Sequence, residues 1–254
     1  MRVISSFEKG LKILEYVAQR GSVRLAETAK QFDMTNSNMS IFMNTLVKSG
    51  FVHKDDAERR YFVSTKIQRL STAADSHTIE FIELVAKEEM QALHEKFNEN
   101  VMLAVLSGNT SRYVARIQSN HLIQIVDDDQ TYPLHATANG KVILAFKDPG
   151  FVSRYLESAE WRHYTKLTIT SRAALTRELD EIRERGFAIN RGEYEESIMA
   201  VAVPIAEDGT IVASLVVQYP AFRHEVADLE DYGPVLVEAA ERISARLNLP
   251  EVAE

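Results

Sequence analysis

Apolar residues recur at helical spacing through the first fifty positions. Phe7, Leu11, Leu14 and Val17 fall at i, i+4, i+7 and i+10, one face of a helix. Ser6 is placed to cap its start and Gly21 its end. Leu25, Ala26, Ala29 and Phe32 predict a second, shorter helix. Met39, Phe42, Met43, Leu46 and Val47 predict a third, opened by Thr35 and closed by Gly50. Only Asp33-Met34 separates the second from the third, the turn length of a helix-turn-helix. Phe51 to Lys54 and Arg59 to Val63 then read as two short strands around the polar tip Asp55-Asp56-Ala57-Glu58, which is a wing. The layout is that of a DNA-binding head.

The rest of the chain predicts an α+β body. A short helix leaves the wing between about Ser64 and Ala74, and Asp75-Ser76-His77-Thr78 marks a boundary. A longer helix follows, with Ile79, Ile82, Ala86, Met90, Leu93 and Phe97 on one face. Val101 to Leu106 and Arg112 to Ile117 read as a hairpin, and His121 to Val126 as a third strand. Helices are expected at Ala136 to Phe146, Pro149 to Ser158 and Ala173 to Arg185, the last with Ser171 near its start and Gly186 as C-cap. Met199 to Ile205 and Ile211 to Gln218 are strands around the turn Glu207-Asp208-Gly209. A final helix runs from Glu225 to Asn248, disturbed at Gly233-Pro234. An antiparallel sheet flanked by helices accounts for this order. The expected domains are 1–64 for the winged head, 65–77 for a linker helix and 78–254 for a sensor-like body.

Charge sharpens the picture of the head. The 254-residue chain has a net charge of −8, yet residues 1–70 hold 12 Lys and Arg against 7 Asp and Glu. The remainder holds 17 basic and 30 acidic residues, so a basic head sits on an acidic body. Once its apolar positions are turned inward, the third helix presents Ser37, Ser40, Ile41, Asn44 and Lys48, with Thr35, Asn36 and Asn38 on its first turn. Asn pairs bidentately with adenine, hydroxyls bond either kind of base edge, and Ile touches a thymine methyl. Arg59 and Arg60 on the wing suit phosphate or minor-groove contacts.

Other chemistry is poorly supported. Cysteine is absent, which excludes disulfides, thiol nucleophiles and Cys-based zinc sites. The seven His residues show no metal-binding pair. His135 has no catalytic partner at a diagnostic spacing, and neither does the run Asp127-Asp128-Asp129. Gly140-Lys141 lacks the earlier Gly and the following Ser or Thr of a phosphate loop. Glu193, Glu195 and Glu196 read as a solvated loop. No enzyme and no cofactor are expected. An early charge argues against a signal peptide, and the longest apolar stretch, Ile198 to Ala206, contains Pro204 and cannot span a bilayer. A soluble cytoplasmic protein is expected.

Several segments, in order, resemble the IclR-type bacterial transcription regulators. They are Glu8-Lys9-Gly10-Leu11-Lys12-Ile13-Leu14, Leu25-Ala26-Glu27, Leu46 to Val52, Pro133 to Lys141, Arg185-Gly186-Phe187-Ala188, and Glu193 to Glu196 leading into Ala202-Val203-Pro204-Ile205. The resemblance implies a winged head and a GAF-like effector-binding domain. It implies a homodimer or dimer of dimers on operator DNA, controlled by a small organic acid or aromatic compound. It places the effector among Met102, Gly140, Asn190, Ala200, Val216 and Gln218.

The chain departs from the family pattern in three places. Asn36, Ser40 and Ile41 stand where basic residues are usual on the reading face, which favours A·T pairs and leans affinity on the wing. Val63-Ser64 replaces Leu-Gly after the wing. In the body, Ala200 replaces a frequent Cys, while Val216 and Gln218 replace a Ser-x-Ser pair. The last exchange makes one pocket wall apolar and favours an aromatic or similarly flat acid. A DNA-binding regulator switched by protein partners, without a small-molecule ligand, is the alternative.

Overall fold

The computed structural model describes residues 4–125, 131–224 and 226–248, with the side chains of 68–77 and 226–229 left aside. The chain divides into two compact units, Met1–Thr78 and Ile79–Glu254.

In the first unit α1 (Ser5–Arg20), α2 (Leu25–Gln31) and α3 (Asn36–Lys48) are accompanied by β1 (Ser22–Arg24), β2 (Val52–Asp55) and β3 (Arg60–Val63). The three strands form an antiparallel sheet in the order β1-β3-β2. Ile13, Val17, Ala29, Met39, Met43, Val52 and Tyr61 share one core. Thr35 caps α3, its Oγ1 accepting the Asn38 N–H at 3.3 Å. The wing tip is pinned by Asp55, whose Oδ1 accepts the N–H groups of Ala57 and Glu58 at 2.8 and 3.1 Å.

The second unit is three-layered. Its sheet comprises β4 (Asn100–Ser107), β5 (Thr110–Ile117), β6 (Tyr132–Pro133), β7 (Ala188–Arg191), β8 (Ile198–Glu207) and β9 (Thr210–Pro220). The strands are all antiparallel, in the order β6-β5-β4-β9-β8-β7. One face carries Val101, Leu103, Val203, Leu215 and Val217. It packs on α8 (Val226–Leu247) and on the part of α4 (Thr65–Phe97) that holds Ile82, Ala86, Met90 and Leu93. The other face carries Met102, Ala188, Ala202 and Val216 and is covered by α5 (Ala138–Phe146), α6 (Pro149–Ser158) and α7 (Arg172–Arg185). Successive strand residues alternate between these two layers, so the central strands read as continuous apolar runs.

Several expectations are corrected. Phe7 is 66% exposed and Leu11 is also on the surface. Val17 is buried and Leu14 packs on the core as expected, but Ile13 is buried in place of Phe7 and Leu11, because the head packs a neighbouring face of α1. The N-cap position is Ile4, and Ser6 lies inside the helix. The division between the two units falls at Thr78, where the polar run Asp75 to Thr78 ends, but that run does not break the helix: residues 65–97 contain neither Gly nor Pro, and α4 runs through them. The expected linker helix is therefore the first part of a longer one. Residues 119–125 are irregular and do not form a strand. Gln124 Nε2 donates to the Ser119 carbonyl at 2.8 Å, and Leu122 and Ile123 are exposed. Helix α5 starts at Ala138 rather than Ala136 because Thr137 caps it. Pro234 is accommodated inside α8. A Cβ at Gly233 would meet the Phe187 ring at 2.5 Å, so this glycine makes room for that ring. The run Asp127-Asp128-Asp129 lies outside the described residues.

Candidate functional site

Two surfaces collect the polar residues that the packing leaves unexplained. The first is the outward face of α3. Burial of Met39 and Met43 turns Thr35, Asn36, Ser37, Asn38, Ile41, Asn44 and Lys48 to solvent. Ser40 is half-buried and accepts a hydrogen bond from Asn44 Nδ2 at 3.3 Å. Ile41 is 64% exposed with polar residues around it, an apolar group that the core does not use. The wing arginines differ. Arg59 is exposed at the tip in a left-handed conformation (φ 54°). Arg60 turns back over the sheet, its Nε and Nη2 donating to Ser22 Oγ at 3.2 and 2.8 Å. Ser64, where the wing ends, hydrogen-bonds through its Oγ to the Gly50 carbonyl and accepts the Lys66 N–H. It thereby ties the start of α4 to the end of α3.

The second surface is a cavity of about 30 Å³ at one end of the second unit. Its floor is a row across adjacent strands, in which Asn190 pairs with Ala200 and Ala200 with Gln218. Cross-strand partners share a face, so the three side chains stand side by side. Asn100 of β4 continues the row beside Gln218. The walls are Tyr113, Tyr132 and Tyr194, and the roof is the N-terminus of α5 at Thr137, Ala138 and Asn139. Asn190 is saturated: Nδ2 donates to the Ala136 carbonyl at 2.8 Å, and Oδ1 accepts the N–H groups of Gly192 and Glu193 at 2.8 and 3.0 Å. Gln218 is not. Its side chain is 6% exposed, and its buried Oε1 has no hydrogen-bond partner.

Comparison with known proteins decides the family. Residues 6–56 match the IclR helix-turn-helix domain, and residues 75–245 match the bacterial transcriptional regulator IclR C-terminal domain. The chain belongs to the IclR family. Among curated relatives, the HTH-type transcriptional regulator KdgR of Escherichia coli K12 is 29% identical over 248 residues, 96% of this chain and 93% of that protein. The Thermotoga maritima IclR crystal structure is 30% identical and superposes with a TM-score of 0.64, covering 97% of this chain and all of that one. An IclR homologue from Microbacterium hydrocarbonoxydans, solved with 4-hydroxybenzoate, is 20% identical with a TM-score of 0.61 over 94% of this chain and 98% of that one, and so shares the fold. The protein is an IclR-type DNA-binding transcription regulator with a winged helix-turn-helix and an α+β C-terminal domain.

Within this IclR-family body, the six residues named by resemblance separate into two groups. Asn190, Ala200 and Gln218 line the cavity. Met102, Val216 and Gly140 do not line it. Met102 and Val216 are cross-strand partners one pleat further along, fully buried beneath α5. Gly140 faces the chain itself. A Cβ there would lie 2.5 Å from the Leu134 carbonyl oxygen and closer still to its Cα. The glycine allows α5 to cross the preceding segment rather than admitting a ligand. The three tyrosines escaped the sequence reading because they come from β5, β6 and a loop, with no shared spacing.

Two groups weighed earlier for chemistry have structural roles in this IclR fold. Burial pushes the His135 pKa down, against the pull of its bond to the Arg162 carbonyl. The neutral ring donates Nε2–H to that carbonyl at 3.2 Å, leaving Nδ1 to accept from the Tyr155 hydroxyl at 3.2 Å. Burial raises the Tyr155 pKa to about 12. Glu193 is not solvated but buried, with Lys141 Nζ 2.7 Å from its Oε2. Lys141, itself fully buried, also reaches Glu178 Oε1 at 3.1 Å and the Ile189 carbonyl at 2.7 Å. Burial holds the Glu193 pKa above the usual carboxylate range despite Lys141. Burial works the same way on Glu178, but Lys141 and Arg185 together bring its pKa below that range. Glu195 and Glu196 are exposed. Among the described residues no group of three or more acidic, His or Cys side chains is arranged to hold a metal, and no helix is long and apolar enough to cross a membrane.

Proposed function

We propose that this regulator reads operator DNA through α3 and the wing as a homodimer or dimer of dimers, and that a small organic acid in the β7-β8-β9 cavity sets its DNA affinity. The observation that carries the effector half is Gln218. A buried carboxamide oxygen without a partner costs roughly 1–3 kcal/mol, and a ligand that pairs with it recovers that penalty. Ala138 and Asn139, the first residues of α5, line the same cavity, and the first N–H groups of a helix have no intrahelical partner, a setting that favours a carboxylate. The 30 Å³ volume holds about two waters. It therefore argues for a short acid over the flat aromatic one expected from the sequence, unless Tyr194 swings outward. The Microbacterium homologue was solved with an aromatic acid, 4-hydroxybenzoate, which keeps that class in the library to be tested. Ligand binding alters DNA affinity only by the difference in its own affinity for the two arrangements of the heads. Control of a catabolic operon fits such a ligand.

Purified protein should retain a small set of genomic fragments sharing an inverted repeat, and an organic-acid library should contain a member that changes its affinity for them. Gln218→Leu should abolish the response while leaving DNA affinity of the free protein intact. An unaltered response would move the effector elsewhere, and a library without any effect would favour regulation by a protein partner.

On the DNA side the two wing arginines should behave differently. Arg59→Ala should weaken binding to every sequence and lower the salt slope by about 1. Arg60→Ala should act mainly by loosening the bond between β3 and Ser22. Asn38→Ala and Asn44→Ala should instead relax preference at single base pairs, by about 1–3 kcal/mol each. If the ranking of operator variants is unchanged in both, α3 is not the reader.

A further inference from the structure

Helix α3 carries an apolar side chain where the core has no use for one. Ile41 is 64% exposed, and the residues a turn away on either side, Ser37, Asn38, Asn44 and Thr45, are polar and exposed as well. None of these neighbours shields it. In the major groove the matching apolar group is the C5 methyl of thymine.

One turn further on, Asn44 is not free to present its carboxamide either way round. Its Nδ2 donates to Ser40 Oγ at 3.3 Å, and Ser40 is half-buried at the margin of the exposed face. That bond takes one of the two amide hydrogens and leaves an edge of one N–H and the Oδ1 acceptor. Adenine offers the match, an N7 acceptor beside an N6 donor. Guanine offers two acceptors, N7 and O6, and would set O6 against Oδ1. A carboxamide that is not held can turn over and donate to guanine; one held by Ser40 keeps the adenine edge outward. Side chains three residues apart on a helix lie about 5–6 Å from each other at Cβ, against a base-pair rise of about 3.4 Å, so Ile41 and Asn44 can reach adjacent pairs.

We propose that α3 selects an A·T step: Asn44 reads an adenine, Ile41 packs on the methyl of a neighbouring thymine, and Ser40 is a positioning residue that holds Asn44 for adenine. The inference rests on the proposal above that α3 is the reading helix, and adds which bases it reads and through which groups. Ser40 does not touch the DNA in this arrangement; it decides which base suits Asn44.

The test is selection of bound sites from a randomised duplex library by the full-length protein at fixed salt, repeated with Ser40→Ala, Ser40→Thr, Ile41→Ala and Asn44→Ala. The native protein should enrich a site in which one position prefers A to G by about tenfold or more, and Asn44→Ala should abolish that preference. Ser40→Ala should reduce it by about threefold or more with little change in binding to unrelated DNA, whereas Ser40→Thr, which keeps the hydroxyl, should retain it. Uracil in place of a single thymine of the selected site removes only the methyl. At one position this should weaken the native protein about fourfold, the worth of one buried methyl group, and leave Ile41→Ala unaffected. Equal helical circular dichroism of the variants separates these effects from loss of the fold. A uracil scan that is flat, or the same in the native protein and Ile41→Ala, overturns the methyl contact. A preference for A that is untouched by Ser40→Ala overturns the positioning role, and a site without any A position that answers to Asn44 overturns both. In each of these cases α3 remains the reader as long as one of its variants, Asn38→Ala included, alters the selected site. If none does, or if the native protein enriches no site, the reading helix itself falls and this proposal with it.

Discussion

Lys141→Met is expected to destabilise the second unit by about 3–5 kcal/mol, the cost of leaving a buried charge without its partner. Lys141 is fully buried, and its ammonium is held by Glu178, Glu193 and the Ile189 carbonyl. Glu178 keeps Arg185 when the lysine is lost, at 3.3 Å, whereas Glu193 is left without a cation in contact. Replacing Glu193 as well, in Lys141→Met/Glu193→Gln, should therefore recover a good part of the loss, a non-additivity that the two single changes cannot mimic. The pH dependence has a definite sign. Burial already holds the Glu193 pKa above its unfolded value, and removing Lys141 raises it further. An acid whose folded pKa is raised costs stability once pH exceeds its unfolded pKa, so the deficit of the variant should be largest near neutrality and shrink on acidification. Urea unfolding followed by Trp161, the one tryptophan of the chain and a neighbour of His135, reports on this unit. A variant within about 0.5 kcal/mol of the native protein at pH 7 would show that Lys141 is replaceable and that Glu193 is neutral in the fold.

Gly140→Ala is expected to cost about 3 kcal/mol, the upper end of what overpacking does, because the atoms it would strike are backbone. The Leu134 Cα and carbonyl oxygen and Thr137 Oγ1 all lie within 2.7 Å of the position a Cβ would take. Neither rotamer change nor side-chain motion relieves the first two. Helix α5 would have to lift at its N-terminus, which is also the roof of the cavity, so effector binding should weaken along with stability. The outcome separates two uses of this glycine. Loss of effector binding with normal stability would return Gly140 to the ligand-contact role that resemblance assigned it. Loss of both supports the chain crossing.

The exposed polar face of α3 was legible because periodicity is a local property. Met39 and Met43 are four residues apart, both are buried, and the face opposite them is exposed for that reason alone. The same rule held only in part on α1, where Val17 of the predicted stripe is buried but Phe7 and Leu11 are exposed while the equally apolar Ile13 is buried, and nothing local distinguishes them. Which stripe is buried depends on what α3 and β3 present to the helix. Likewise Asp75 to Thr78 are polar enough to mark a linker, but polarity does not end a helix without a Gly, a Pro or a competing cap. The cavity was partly legible. Asn190, Ala200 and Gln218 followed from the resemblance and share one strand row, whereas Met102 and Val216 belong to the next row, a distinction of one pleat that no sequence spacing records.

The sequence by itself determined most of the helices and the longer strands in their order, the charge division between head and body, the polar face of the third helix and membership of a family, since each depends on residues near one another in the chain or on a pattern matched end to end. The tertiary structure decided the rest. Register across β4, β9, β8 and β7 set Asn100, Gln218, Ala200 and Asn190 side by side from positions as far apart as 118 residues, and left one buried polar atom each of Asn100 and Gln218 without a hydrogen-bond partner. Folding also buried Lys141 between two carboxylates and turned Arg60 back onto Ser22 while Arg59 stayed in solvent. Burial and pairing are properties of what surrounds a residue, and for these residues the surroundings come from distant parts of the chain.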